Sequence, residues 1–187
     1  MKIEPLALSG VKLITPVRFE DARGYFSETF KESALAEAGI DTRFVQDNQS
    51  LSVPAGTVRG LHFQKPPFAQ AKLVRVLAGA ILDVAVDLRH GSSTYGQHIA
   101  VELSAANGLQ LLVPVGFAHG FVTRSPDTVV LYKVSAPYSA AHDAGVRWND
   151  PAFGIEWGVP AQGATLSDKD RSLPLLADLA DPGFKAE

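Results

Sequence analysis

From Val74 to Leu103 the apolar residues fall on alternate positions in short runs, and that pattern excludes most folds at once. Val74 and Val76 flank Arg75. Leu82, Val84, Val86 and Leu88 are separated by Asp83, Ala85 and Asp87, and Ile99, Val101 and Leu103 by Ala100 and Glu102. Successive side chains of a strand point to opposite faces, so a period of two marks a half-buried strand. Leu111–Val113, Phe117–Thr123 and Val129–Val134 continue the series, with Ser125-Pro126-Asp127 as the hairpin turn between the last two. Glycines at 79, 91, 96, 108 and 116 punctuate these runs. Many short strands divided by turn signals predict an antiparallel sandwich or barrel.

Upstream, Asp21-x-x-Gly24 reads as a turn and Tyr25–Thr29 as a short strand after it. One helix is predicted. Thr29 and Glu32 have capping-box spacing, Ala34, Leu35 and Ala38 share a face, and Gly39 is placed to end it. After Ala136 the alternation stops, and Trp148, Phe153, Ile155 and Trp157 are expected to wrap and cover the barrel.

Residues 1–187 are expected to form a single domain, since 187 residues is one domain's worth for a β-rich chain and no linker or repeat divides it. A net charge of −3 supplies no global field toward nucleic acid or an anionic membrane, so neither is an expected partner. Cysteine is absent, which removes disulfides and thiolate metal sites and makes a cytoplasmic location the simpler expectation. No segment approaches the roughly 20 apolar residues of a membrane span. The start Met1-Lys2-Ile3-Glu4-Pro5 has no apolar run of signal-peptide length.

Chemistry concentrates between Gly56 and Gly79, where Arg59, His62, Gln64 and Lys72 lie close in sequence. Gly56, His62-x-Gln64 and Lys72 with its six-residue gap to Gly79, followed by Gly108, Pro114-x-Gly116 and His119, resemble the paired motifs of the cupin jelly rolls. In metal-binding cupins the first motif carries His-x-His and a later Glu, and the second one more His. Here the second His is Gln64 and the Glu position is Lys72. A neutral amide is a weak ligand and an ammonium repels a divalent ion, so no metal is expected. The cluster suits an anion, or an oxygen that becomes one.

Seven further segments narrow the resemblance. Asp21-x-Arg23-Gly24-x-Phe26-x-Glu28, Gln46-x-Asn48-x-Ser50, Arg59-Gly60-Leu61-His62, Gln70-x-Lys72, Pro114-x-Gly116-Phe117-Ala118-His119-Gly120-Phe121, Tyr132-Lys133 and Leu166-Ser167-x-Lys169-Asp170 occur in one order. Together they are similar to the dTDP-4-dehydrorhamnose 3,5-epimerase family, over about Val17 to Pro174.

That resemblance implies a mostly β, cupin-type antiparallel jelly roll with a few short helices. It implies a dTDP-4-keto-6-deoxy sugar as substrate, with C3 and C5 inverted through an enolate whose charge sits on the C4 oxygen. Such a step needs a base, a preorganised cation at that oxygen and an acid on the opposite ring face. His62 matches the base and Asp170 the carboxylate that orients it. Lys72 matches the enolate stabiliser and Tyr132 the acid, best placed for C5. No cofactor is implied. Arg59 matches the diphosphate clamp, since a planar fork of donors suits phosphate. Arg23, Glu28, Gln46 and Asn48 match nucleotide contacts, Tyr138 an aromatic stacked on thymine, and His119 and Lys169 further contacts to sugar and diphosphate. Asp143 stands where many relatives have Glu, one methylene shorter. The Arg23–Glu28 segment is implied to reach in from a second subunit of a homodimer.

Other readings stay open at this stage. An epimerase of one centre, at C3 or C5, or a ketoisomerase would need similar groups. A metal-dependent cupin enzyme is opposed by Gln64 and Lys72. A non-catalytic sugar-nucleotide binding module has no need of base, acid and cation together. Taken singly, His119 could serve only a turn, and Asp170 could belong to a helix cap with Ser167.

Overall fold

The computed structural model describes residues 1–186. In chain order its strands are β1 (Lys2–Pro5), β2 (Lys12–Thr15), β3 (Phe19–Asp21), β4 (Gly24–Phe26), β5 (Gln46–Ser52), β6 (Val58–Gln64), β7 (Lys72–Ala78), β8 (Ala80–Asp87), β9 (His98–Ser104), β10 (Gln110–Val113), β11 (Phe117–Thr123), β12 (Thr128–Val134) and β13 (Asp143–Gly145). Two short helices, α1 (Glu32–Glu37) and α2 (Asp168–Arg171), join them. The strands form a six-stranded sheet in the order β1-β2-β10-β7-β12-β5 and a five-stranded sheet in the order β13-β6-β11-β8-β9. The pairings within both sheets are antiparallel, giving the cupin-type jelly roll. The hairpin β3–β4 stands apart from both.

The runs read as strands are strands, but one of them is covered more fully than its alternation implies. Ile81 and Ala85 of β8 join Val74, Val76, Leu111, Val113, Val130, Phe117 and Phe121 in the core between the sheets. The other face of β8, with Val84 and Val86 and with Leu88 just past its end, packs outward against Trp148, Phe153, Trp157 and Phe184. The C-terminal segment therefore turns an expected half-buried strand into one buried on both sides. Asp83 and Asp87, which alternation would place in water, are wholly buried. The expected wrapping by Trp148, Phe153 and Trp157 is observed, and Trp157 Nε1 donates to the Trp148 carbonyl at 2.8 Å.

Asp87 is tolerated because every lone pair has a donor. It accepts from the Arg89 backbone N–H and guanidinium and from the Ser92 and Thr94 hydroxyls. Burial alone would raise its pKa, but these bonds outweigh it and hold the carboxyl at about 2.

The predicted helix forms later than its capping box suggests. It starts at Glu32 with Lys31 as N-cap and no side-chain cap. Thr29 is drawn elsewhere, its carbonyl accepting from Gln110 Nε2 at 2.7 Å. Leu35 is buried against Ile14, Ile40, Leu73 and Leu112 on the outer face of the larger sheet, with Ala38 beside it, and Gly39 ends the helix at a φ of 73°. No helix among the described residues is long and apolar enough to cross a membrane.

Candidate active site

The site is built on a fault in β6. His62 lies opposite His119 of β11, yet Arg59 lies opposite Phe121, so three steps on β6 match two on β11. The extra residue is a β-bulge at Gly60–Leu61. Gly60 has a φ of 125°, and a Cβ there would lie 2.5 Å from Gly120 Cα and 2.8 Å from the His119 carbonyl oxygen. Only glycine permits so close an approach. Residues three apart on a regular strand face opposite ways. The bulge sends Val58, Leu61 and Phe63 to the outer core and brings Arg59 and His62 to one cleft.

The facing wall comes from the larger sheet. Tyr132 on β12 lies opposite Val74 of β7 and Asn48 of β5. Lys72, two residues from Val74, points to the same side. Gln46, Asn48, Ser50 and Ser52 alternate inward along β5. Two chambers result. One, of about 520 Å³, is lined by Ser50, Ser52, Arg59, His119, Phe121 and Asp170 among others. The second, of about 510 Å³, is lined by Gln46, Asn48, Gln64, Tyr138, Asp143 and Lys169 among others. His62, Lys72 and Tyr132 line both chambers.

Asp170 reaches His62 across 108 residues of sequence, with Nε2 to Oδ1 at 2.5 Å. The carboxylate is 4% exposed. Burial pushes its pKa up, but the hydrogen bond and charge of His62, with Ser167 and Lys169, hold it below the usual range. It is thus ionised at neutral pH, which fixes the imidazole's orientation and leaves Nδ1 as the ring nitrogen free to take a proton. Cap and dyad do not compete. Ser167 Oγ accepts from the Asp170 backbone N–H at 3.1 Å, while the side chain serves His62.

Lys72 is buried, with Nζ donating to the His62 carbonyl at 3.3 Å. Burial pushes its pKa down to about 8, against the attraction of Asp83 and Asp143 and with help from Lys169. At pH 7 it is mostly cationic. Burial also lowers His119, despite its bond to Asp83 at 2.7 Å, so this imidazole is neutral at neutrality. Tyr132 is raised, chiefly by burial and against the Arg59 charge and the Asn48 hydrogen bond, so its hydroxyl keeps its proton.

Arg59 is braced by Ser52 Oγ at 3.1 Å and the Leu51 carbonyl at 3.0 Å. Gln64 is a structural tie. Its amide nitrogen donates to the carbonyls of Phe68 and Pro137, and its oxygen accepts from Ser139 N–H, which fastens the loop carrying Tyr138. Asp143 is engaged by Lys169 and by the Tyr138 hydroxyl. Among the described residues no group of three His, Cys, Asp or Glu is arranged to hold a metal ion.

The cleft of this chain therefore gathers His62, Lys72, Tyr132, Asp170, Arg59, His119, Gln46, Asn48, Tyr138, Asp143 and Lys169. Arg23 and Glu28 are elsewhere. Arg23 sits in the β3–β4 turn, 89% exposed and paired with Asp21, and Glu28 faces Lys31 at 3.9 Å. Asp83, which holds His119, was missed from sequence, and Ser50, quoted there in a motif but given no role, presents a hydroxyl with no hydrogen-bond partner among the described residues. Asp83 left one signal, a carboxylate repeated with Asp87 inside an otherwise apolar strand.

A half-buried imidazole held by a buried carboxylate, a buried ammonium and a protonated phenol around one cleft can remove a proton beside a carbonyl, hold the enolate oxygen and return a proton from another side. Comparison with known proteins agrees with this chemistry. The family profile described as dTDP-4-dehydrorhamnose 3,5-epimerase matches residues 5–178. A protein of that name from Sinorhizobium fredii is 56% identical over 179 residues, 96% of this chain and 91% of its own. The crystal structure of dTDP-4-dehydrorhamnose 3,5-epimerase from Bacillus anthracis, with TDP and PPi bound, superposes with a TM-score of 0.91 at 52% identity, over 94% of this chain and 99% of the other. The dTDP-6-deoxy-D-glucose-3,5-epimerase from Legionella pneumophila, in complex with dTDP-4-keto-L-rhamnose, gives 0.93 at 38% identity, over 100% and 98%. The chain belongs to the dTDP-4-dehydrorhamnose 3,5-epimerase family.

Proposed function

We propose that this chain inverts C3 and C5 of dTDP-4-dehydro-6-deoxy-glucose to give dTDP-4-dehydro-rhamnose, without a cofactor. The observation that carries the reading is that His62, Lys72 and Tyr132 line both chambers of the cleft, with Asp170 bonded to His62. His62 Nδ1 takes the proton from C3 or C5. The C–H electron pair becomes the ring C=C bond, and the carbonyl π pair moves to the C4 oxygen beside Lys72. At C5 Tyr132 then protonates the same carbon from the opposite face, inverting it; at C3 a water on that face returns the proton, and the hydroxide left takes the proton held by His62. After the C5 step, exchange with water returns a proton to Tyr132 and removes one from His62. The Asp170 charge stabilises the imidazolium between these steps.

Arg59 clamps the diphosphate, and Gln46, Asn48 and Tyr138 receive the nucleotide. His119 shapes the wall beside the sugar, and Asp143 and Lys169 close the rim. Arg23 and Glu28, remote from this chain's own cleft, serve the second subunit of a homodimer. The exposed apolar side chains Phe19, Tyr25 and Phe26 on the same hairpin support such a contact. We place the enzyme in the cytoplasm.

The test is incubation with the 4-keto sugar nucleotide in heavy water, followed by proton NMR at C3 and C5. Deuterium at both carbons with inversion is expected. Deuterium at one alone would make this a single-centre epimerase, and none would refute the mechanism. His62→Ala is expected to abolish exchange at both carbons.

A further inference from the structure

We infer that Asp143 is a positioning residue that joins the nucleotide end of the cleft to the dyad, holding the side chain of Tyr138 and the helix that carries Asp170. This rests on the proposed epimerase reading.

The geometry begins with α2, only four residues long, a length with little helical stability of its own. Its own contacts are local: the Ser167 cap, the Leu166 carbonyl with Arg171, and Ser172 with the Lys169 carbonyl. Among the described residues, two side-chain ties run from this helix to the barrel. One is the dyad bond of Asp170 to His62. The other is the ion pair of Lys169 with Asp143. Both end on paired strands, because Asp143 of β13 lies opposite Gln64 of β6 and Gly145 lies opposite His62. Lys169 and Asp170 are adjacent, so a loosened Lys169 loosens the carboxylate that orients the base.

The same Asp143 oxygen also accepts from the Tyr138 hydroxyl at 3.2 Å. Tyr138 is 62% exposed, so little packing fixes its ring. Its backbone N–H meets Gln46 Oε1 at 3.4 Å. One carboxylate therefore aims the ring that stacks on the nucleotide base and anchors the helix that aligns the base catalyst.

Asp143 has an electrostatic role as well. Lys72 is faced by Asp83 from β8, Asp143 from β13, Lys169 from α2, His62 from β6, His119 from β11 and Tyr132 from β12. Asp83 and Asp143 favour the ammonium, while burial and Lys169 oppose it. An Asp143→Asn variant keeps an acceptor for Tyr138 but loses the charge that binds Lys169 and supports Lys72.

The experiment compares wild type, Asp143→Asn and Asp143→Glu by three readouts: kcat and KM against pH, affinity for dTDP, and the low-field ring-proton resonance of the His62–Asp170 bond. In Asp143→Asn, kcat is expected to fall about tenfold, the worth of one lost charged contact. Its alkaline limb should move to lower pH and the resonance should broaden, while dTDP affinity changes less than about threefold. Asp143→Glu should restore kcat and the resonance. A loss of dTDP affinity as large as the loss in kcat would overturn the inference in favour of a direct ligand contact. So would an unchanged resonance and pH profile, whatever happens to kcat. If wild type itself shows no C3 or C5 exchange, the epimerase reading fails, while the resonance still reports whether Asp143 holds the dyad.

Discussion

Replacing Lys72 by methionine separates catalysis from stability. The buried ammonium has its pKa lowered from 10.5 to about 8, chiefly by burial. At about 1.4 kcal/mol per pKa unit, that drop is about 3 kcal/mol by which folding disfavours the charged form. For a cation whose folded pKa lies below its unfolded value, the penalty is complete below pH 8 and is relieved as pH rises toward 10.5. Lys72→Met keeps much of the length and the apolar stem, removes that penalty, and loses the bond to the His62 carbonyl, worth about 1 kcal/mol. Asp83 keeps its partner His119. The net expectation at pH 7 is a gain of about 2 kcal/mol, or about 4–8 °C in Tm for a chain of this size. The enolate oxygen meanwhile loses its cation, which costs about 10²–10³ in kcat/KM. In wild type the active form is the ammonium, so activity should fall as pH rises through about 8. Deuterium exchange at C3 and C5 read by NMR, beside a thermal melt, measures both effects. A variant that keeps activity within tenfold, or melts several degrees lower, would refute the assignment of Lys72 as a strained, functional cation.

Tyr132→Phe should spare exchange at C3 and impair inversion at C5; equal loss at both carbons would mean that the acid is misassigned. Gly60→Ala forces a methyl to within 2.5 Å of Gly120 Cα and strains a φ of 125°, so circular dichroism melts should show destabilisation of about 2–4 kcal/mol together with lost activity. Asp87 contributes through linkage. Its folded pKa of about 2 lies below the unfolded 3.8, so about 2 kcal/mol of stability is present above pH 4 and drains away as pH falls toward 2. Asp87→Asn should flatten that acid limb in urea titrations at pH 2–5 while lowering stability at pH 7; an unchanged acid limb would show that the Arg89, Ser92 and Thr94 bonds do not favour the ionised form.

Much of this protein was legible in its residues. Strand periodicity is a local property of side-chain direction, so the runs around Val74, Leu82, Ile99 and Val129 could be read without knowing what covers them. The chemistry of the cleft was equally local, since exchanging a metal ligand for Lys72 changes what a site can hold wherever the residue sits. The late start of α1 was not legible, because Gln110 on another strand takes the Thr29 carbonyl.

Four features were decided only in three dimensions. Alternation could not say that both faces of β8 are covered, because the cover comes from Trp148, Phe153, Trp157 and Phe184 far along the chain. Nor could it turn Asp83 and Asp87 inward. It put Arg59 and His62 on opposite faces, and only the bulge allowed by Gly60 against Gly120 unites them. The contacts that tune the site, His62 with Asp170 and Asp143 with Lys169, span 108 and 26 residues. Sequence determined which groups were present and which faces the strands offered. Tertiary packing decided which groups meet, because hydrogen bonds, charge and burial depend on distances that the order of residues does not contain.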